Sequence, residues 1–275
     1  VIKIKKGLDI NLKGKASDVL LNGGKSESYA IVPDYYNGIL PKVVAKVGEK
    51  VKAGSVLMID KNRPEIKFVS PVSGEVTAVN RGEKRKVLSV VVKPEAQIEY
   101  EDFGKKNVAS LKREEVKEAI LHAGMWPFIK QRPYDIVASP ADEPRDIFVS
   151  AFYSAPLAPN FDFVVKGQEV DFQTGLDALA KLTDGKVYVG IRKGSSVSVK
   201  GVETVEVEGP HPAANVGVQI NHIKPINKGE VVWTVNPADV IVIGRLFNKG
   251  IADFSRLVVI TGSETTERGY VKAIA

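Results

Sequence analysis

Few residues in this chain have obvious chemistry to offer. His122, His211 and His222 are its only histidines, and no two share the spacing that puts a pair of imidazoles on one helix face to hold a metal. Cysteine is absent, which removes thiolate nucleophiles, disulfides and cysteine-held iron–sulfur clusters from this chain. Carboxylate pairs such as Glu101-Asp102 and Asp142-Glu143 stand on polar loops, and no Ser/His/Asp set is legible. Gly23-Gly24-Lys25-Ser26 imitates the end of a phosphate-binding loop. The first glycine of that pattern would fall at Val19, so the sequence predicts a turn there. What remains is aromatic. Trp126-Pro127-Phe128, followed by Gln131-Arg132 and Tyr134, sets rings beside hydrogen-bond donors, and so does Tyr35-Tyr36. Such a set suits a cleft for a flat apolar ring with carbonyl acceptors. The Arg132 guanidinium keeps its donors at any working pH. The plainer reading is packing between two domains, with Tyr35 and Tyr36 as lids on a core.

The chain that must hold these residues changes character near Pro94. Before it, from Gly48 to Val87, short Val/Ile/Leu/Phe runs alternate with Gly-, Pro- and Lys-containing turns. The stretch has two similar halves: Gly48, Val51, Gly54 and Val56-Leu57, then Ser70-Pro71, Gly74, Val76 and Val79. Two hairpins that each bury one apolar face can close on one another, with Val76 and Val79 in the core and Gly74 in a turn. After Pro94, Ser110 can cap a helix over Leu111 to Ala123, with Gly124 as its stop. Helices also fit Phe172 to Leu182, Pro212 to Asn221 with proline in the first turn, and a run from Asn236-Pro237 through Ile241, Gly244 and Phe247. Strands fit Asp135 to Ala138, Ile147 to Phe152, Lys186 to Ile191, Thr204 to Glu208, Val231 to Val235 and Leu257 to Thr261. This alternation predicts a three-layer α/β domain, Rossmann-like in class. The net charge of +6 is spread through mixed runs such as Lys112-Arg113-Glu114-Glu115, which mark solvated faces rather than a nucleic-acid surface. No apolar run reaches spanning length, and the opening lysines exclude a signal peptide, so a soluble chain is expected.

The β-rich stretch is similar to the barrel-sandwich fold of biotinyl and lipoyl carrier domains, with Asp60-Lys61 near the position of their modified lysine. A lipoate or biotin carrier is therefore one alternative. With Asn80 to Arg85 after the second half, and the opening Ile2 to Asp9, the chain more closely resembles one family: the A subunit of the bacterial sodium-translocating NADH:quinone oxidoreductase. Further matches lie at Arg132-Pro133, Glu143 to Val149, Ala155 to Ala158, Gly185 to Val189, Gly209 to Ala213 and Asp239 to Phe247, and the resemblance covers essentially the whole chain.

The resemblance implies an α/β protein with an N-terminal all-β module: a barrel-sandwich hybrid over 1–98, then a Rossmann-like three-layer α/β domain over 99–255. It further implies that 256–275 begin a truncated β-grasp domain. It implies a peripheral protein on the cytoplasmic face of the inner membrane, in contact with membrane subunits and only indirectly with lipid. The complex would oxidise NADH, reduce ubiquinone or menaquinone and export Na+, with NADH and flavins held elsewhere and no covalent cofactor here. A second alternative is the flavin- and NADH-binding subunit of a complex I or Rnf type dehydrogenase. Those relatives carry a glycine-rich loop where this chain has Leu121 to Phe128. Met125 and Trp126 there would fill the space a flavin needs. The quinone-binding candidates are Tyr35, Tyr36, Trp126, Phe128, Arg132 and Tyr134.

Overall fold

A computed structural model describes residues 1–274. The β-rich half is a flattened barrel made of two antiparallel sheets. One joins β2 (Tyr29–Ile31), β8 (Val87–Pro94), β7 (Gly74–Arg81) and β4 (Lys50–Val51), in that order. The other joins β3 (Pro41–Val43), β5 (Val56–Asp60) and β6 (Lys67–Val69). Leu57, Met58, Ile66, Phe68, Val76, Val90 and Val92 are buried between them. The alternation along β7 drives this: Val76 points in, Glu75 and Thr77 point out. Val79 is half-buried, packing at the edge of the core rather than inside it. Gly74 is not in a turn. It opens β7 at φ +156°, where a Cβ would lie 1.9 Å from the Lys93 carbonyl oxygen, so close approach of β8 is what requires glycine.

The second half is a mixed seven-stranded sheet. Its order is β1 (Ile2–Lys3), β13 (Glu203–Glu208), β12 (Val187–Arg192), β11 (Ile147–Ser150), β14 (Val232–Thr234), β9 (Lys130–Arg132), β10 (Ile136–Val137). The first five run parallel, and β9 and β10 are antiparallel additions. The opening residues thus lend the α/β sheet an edge strand, although the sequence pattern groups them with the barrel. Successive residues of β11 face opposite layers. Ile147 and Val149 meet α3 (Glu169–Lys181) and α5 (Pro237–Lys249), while Phe148 meets α4 (Val216–Ile223). α3 and α5 cross tightly because each presents a glycine: a Cβ on Gly175 would sit 2.0 Å from the Val240 oxygen, and one on Gly244 1.7 Å from the Asp171 oxygen. Helix α2 (Phe161–Val165) is short, and β15 (Ser255–Ile260) pairs with β16 (Gly269–Ile274) as a hairpin. Ala275, the last residue of the expected 256–275 unit, lies outside the described residues.

Two helix starts differ from expectation. Helix α1 (Arg113–His122) begins after Lys112, whose backbone N–H donates to Glu115 Oε2 at 2.8 Å. Ser110 instead ends a short turn, its hydroxyl donating to the Asn107 oxygen. Gly124 does stop α1, at φ +68°. Helix α4 starts at Val216, because the backbone of Asn215 is extended; Pro212 belongs to the preceding turn, in which Ala213 and Asn215 donate to the Pro210 and Pro212 carbonyls. Among the described residues no helix is long and apolar enough to cross a membrane.

Candidate functional site

The barrel and the α/β unit share one continuous core, and a cleft of about 430 Å³ opens along their join. The barrel contributes Tyr36 and Phe68, whose rings meet edge to face at 4.8 Å. Tyr36 follows a single turn of 3-10 helix over Pro33–Tyr35, which proline starts and which aims the ring inward. The α/β unit contributes Phe128 and Phe254, edge to face at 6.1 Å. These aromatic walls are joined by Ile31, Val69 and Pro127.

Three charged side chains reach the same space. Lys130 projects from β9, its Nζ 5.1 Å from the centre of the Tyr36 ring. Arg256 projects from β15, its guanidinium 5.8 Å from the centre of the Phe128 ring. Asp239, in the first turn of α5, lies 3.0 Å from the Arg256 Nη1. The contact is an ion pair through Nη1; Asp239 Oδ1 and Arg256 Nε are both buried without a hydrogen-bond partner. Burial pushes the Tyr36 hydroxyl and the Asp239 carboxyl up from their usual ranges and draws the Lys130 ammonium down. The cleft is therefore an apolar, aromatic slot with a few convergent polar groups, the usual build of a small-molecule site.

The six residues singled out from sequence divide evenly. Tyr35, Tyr36 and Phe128 line the cleft, Tyr35 at its rim with 79% of its surface exposed. Trp126 does not. It is fully buried, donating from Nε1 to the Ala138 oxygen at 2.8 Å and meeting Trp233 edge to face at 5.4 Å. Arg132 is paired with Asp135 at 3.3 Å, and Tyr134 is 80% exposed; neither lines the cleft. Sequence reasoning missed Lys130, Asp239, Arg256 and Phe254. The one available signal was Phe254, an aromatic at the end of the α/β pattern. Met125 and Trp126 are both fully buried.

Other candidates carry less. Lys61 sits exposed at the β5–β6 tip, but that tip is not free: Arg63 ion-pairs with buried Asp60 at 2.8 Å and donates to the Gly38 and Val137 oxygens. No helix follows Gly23-Gly24-Lys25-Ser26, so nothing there forms a phosphate loop. His122 packs on Phe103, His211 Nδ1 lies 3.1 Å from Ser154 Oγ, and His222 Nδ1 lies 2.8 Å from the Val218 oxygen. Among the described residues no three metal-binding side chains cluster. A crevice of about 580 Å³ does lie at the carboxyl ends of β11 and β12, where α/β proteins hold nucleotides. Here the segment from Asp9 to Asp18 forms one wall and the loop from Phe152 to Asn160 the other, without a glycine-rich turn.

Comparison with known proteins agrees with this architecture. Residues 2–95 match the family described as the NqrA N-terminal barrel-sandwich hybrid domain, and residues 111–252 the one described as the NqrA second alpha/beta domain. The chain is 36% identical, over 279 aligned positions, to the A subunit of the Na(+)-translocating NADH-quinone reductase of Neisseria meningitidis serogroup A, covering all of this chain and 62% of that one. It is 38% identical to the protein of the same name from Hahella chejuensis, covering 95% of this chain and 60% of that one. The chain thus spans about three-fifths of the length of these relatives. An NAD+-reducing NiFe hydrogenase of known structure aligns over 59% of this chain and 36% of that one, with 11% identity and a TM-score of 0.38, too low to carry an argument.

Proposed function

The chain belongs to the NqrA family, and from that premise we propose that it serves as the NqrA component of a sodium-translocating NADH-quinone reductase. In this reading the assembled complex oxidises NADH, reduces ubiquinone or menaquinone and exports Na+. NADH and the flavins belong to other subunits, and this one sits peripherally on the cytoplasmic face without catalysing a step alone. Buried Met125 and Trp126, at the position of the glycine loop in flavin-binding relatives, favour this over a flavin-carrying role. The anchored tip of the β5–β6 hairpin, held by Arg63, disfavours a carrier lysine at Lys61.

The chain's own part is to hold the quinone ring in the cleft between its two units. The observation that carries this is the slot walled by Tyr36, Phe68, Phe128 and Phe254, with donors on Lys130 and Arg256. An aromatic slot stacks a flat ring, and the donors orient its carbonyls. Titrating a short-chain, water-soluble quinone into the protein should quench tryptophan fluorescence saturably. Phe128→Ala removes one wall and should weaken binding at least about fivefold, since an aromatic contact is worth ~1 kcal/mol beyond its area. Linear quenching that never saturates, identical in both proteins, would leave the unit as a scaffold only.

A further inference from the structure

The three charged groups at the cleft do more than orient a carbonyl. Lys130 is held rigidly, because β9 is hydrogen-bonded to β14 on one side and β10 on the other. Its ammonium is half-buried and makes no ion pair among the described residues; its close neighbour is the face of the Tyr36 ring. The charged groups around it are Asp135 beyond β9, Asp239 on α5 and Arg256 on β15. Asp135 is turned to Arg132 and Asp239 to Arg256, so neither carboxylate reaches Lys130. Arg256 in turn leaves Nε without an acceptor. Two partly desolvated cations thus face one aromatic slot with a single carboxyl between them. A ring in the slot that carries a negative oxygen would give the ammonium its missing partner, with the Arg256 guanidinium adding a second positive charge nearby. A neutral carbonyl accepts from the same donors but lacks the ion-pair attraction that a negative oxygen adds in a partly desolvated slot.

We propose that Lys130, with Arg256, makes this cleft selective for the anionic form of a ring ligand, one bearing an enolate- or phenolate-type oxygen, over the neutral form of the same ring. The proposal rests on the reading of the cleft as the quinone site, and it adds the charge state that the site retains. Lys130 is the specificity-determining residue, and the aromatic walls bind both forms alike.

The test uses two probes of one skeleton: 1,4-naphthoquinone, which is neutral, and 2-hydroxy-1,4-naphthoquinone, which is an enolate at neutral pH. Both are titrated calorimetrically at fixed ionic strength into the wild type, Lys130→Met, Lys130→Arg and Phe128→Ala. The wild type should bind the enolate about tenfold more tightly than the neutral ring. Lys130→Met should weaken the enolate far more than the neutral ring, which loses about threefold, and so erase most of that ratio, while Lys130→Arg restores part of it. Phe128→Ala should weaken both probes together and keep the ratio. Equal binding of the two probes by the wild type would overturn the proposal while leaving the quinone reading intact. A preference that survives Lys130→Met unchanged would also overturn it, because the anion would then be held by the general positive charge of the chain. No binding of either probe by the wild type would overturn the quinone reading and this inference with it.

Discussion

Replacing Trp126 by Phe separates the core from the cleft more sharply than any other single change. The indole is fully buried, its Nε1 donates to the Ala138 oxygen at 2.8 Å, and its ring meets Trp233 at 5.4 Å with an interplanar angle of 84°. Phenylalanine keeps an aromatic edge for Trp233 but loses the N–H. The lost hydrogen bond leaves a buried carbonyl short of a donor and costs about 1–1.5 kcal/mol. The missing half of the indole leaves a void in a close-packed region, worth a further ~1–2 kcal/mol. The sum, about 2–3.5 kcal/mol, should appear as an earlier urea midpoint in far-UV circular dichroism, with an unchanged slope. Quinone affinity, measured by equilibrium dialysis, should stay within about twofold, because the indole does not line the cleft. Unchanged stability together with a tenfold loss of quinone affinity would refute this reasoning and move Trp126 into the ligand site.

Three further outcomes are expected. Gly74→Ala pushes a Cβ to within 1.9 Å of the Lys93 oxygen, so thermal unfolding of the barrel should begin several degrees earlier; an unchanged melt would mean that β7 and β8 do not pair as described. Arg63→Ala removes the donor to Gly38 and Val137 and strips buried Asp60 of its cation. It should cost about 2–4 kcal/mol and speed proteolysis between the barrel and the α/β unit. Asp146 is the third. Burial alone would raise its carboxyl, but hydrogen bonds from Lys224, the Lys186 N–H and Arg145 outweigh that and hold it below the usual carboxylate range. A depressed folded pKa contributes stability that is present above the unfolded value of ~3.9 and lost as pH falls through the folded one. Asp146→Asn should therefore cost about 1–3 kcal/mol at pH 7, with the gap from wild type closing below about pH 4; a gap that is the same at both pH values would contradict the assignment.

The parts of this fold that were legible in the sequence are those where periodicity and punctuation act locally. Val76 between Glu75 and Thr77 marks a one-sided strand, and Gly124 marks the end of α1. The parts that were not legible depend on partners distant in the chain. Strand β9 is Lys-Gln-Arg, with no apolar signature, and exists because β14 and β10 bond it on both edges. Ile2 and Lys3 look like the start of the barrel but pair with Val207 and Glu208. The cleft was half-read for the same reason. Tyr36 and Phe128 stand out as aromatics, whereas Lys130, Asp239 and Arg256 become a group only when β9, α5 and β15 meet. Trp126 misled because an aromatic beside an arginine resembles a binding slot; what sends it inward is a partner for its N–H at Ala138, which sequence does not display.

The most direct test of the central claim is to find where a photoreactive short-chain quinone attaches. Irradiation at saturating probe, digestion and peptide mass mapping should place the label on the peptides carrying Tyr36, Phe128 or Lys130, and an excess of the parent quinone should suppress it. Labelling concentrated on Asp9 to Asp18 and Phe152 to Asn160, or scattered labelling that the parent quinone does not suppress, would contradict the cleft as the quinone site.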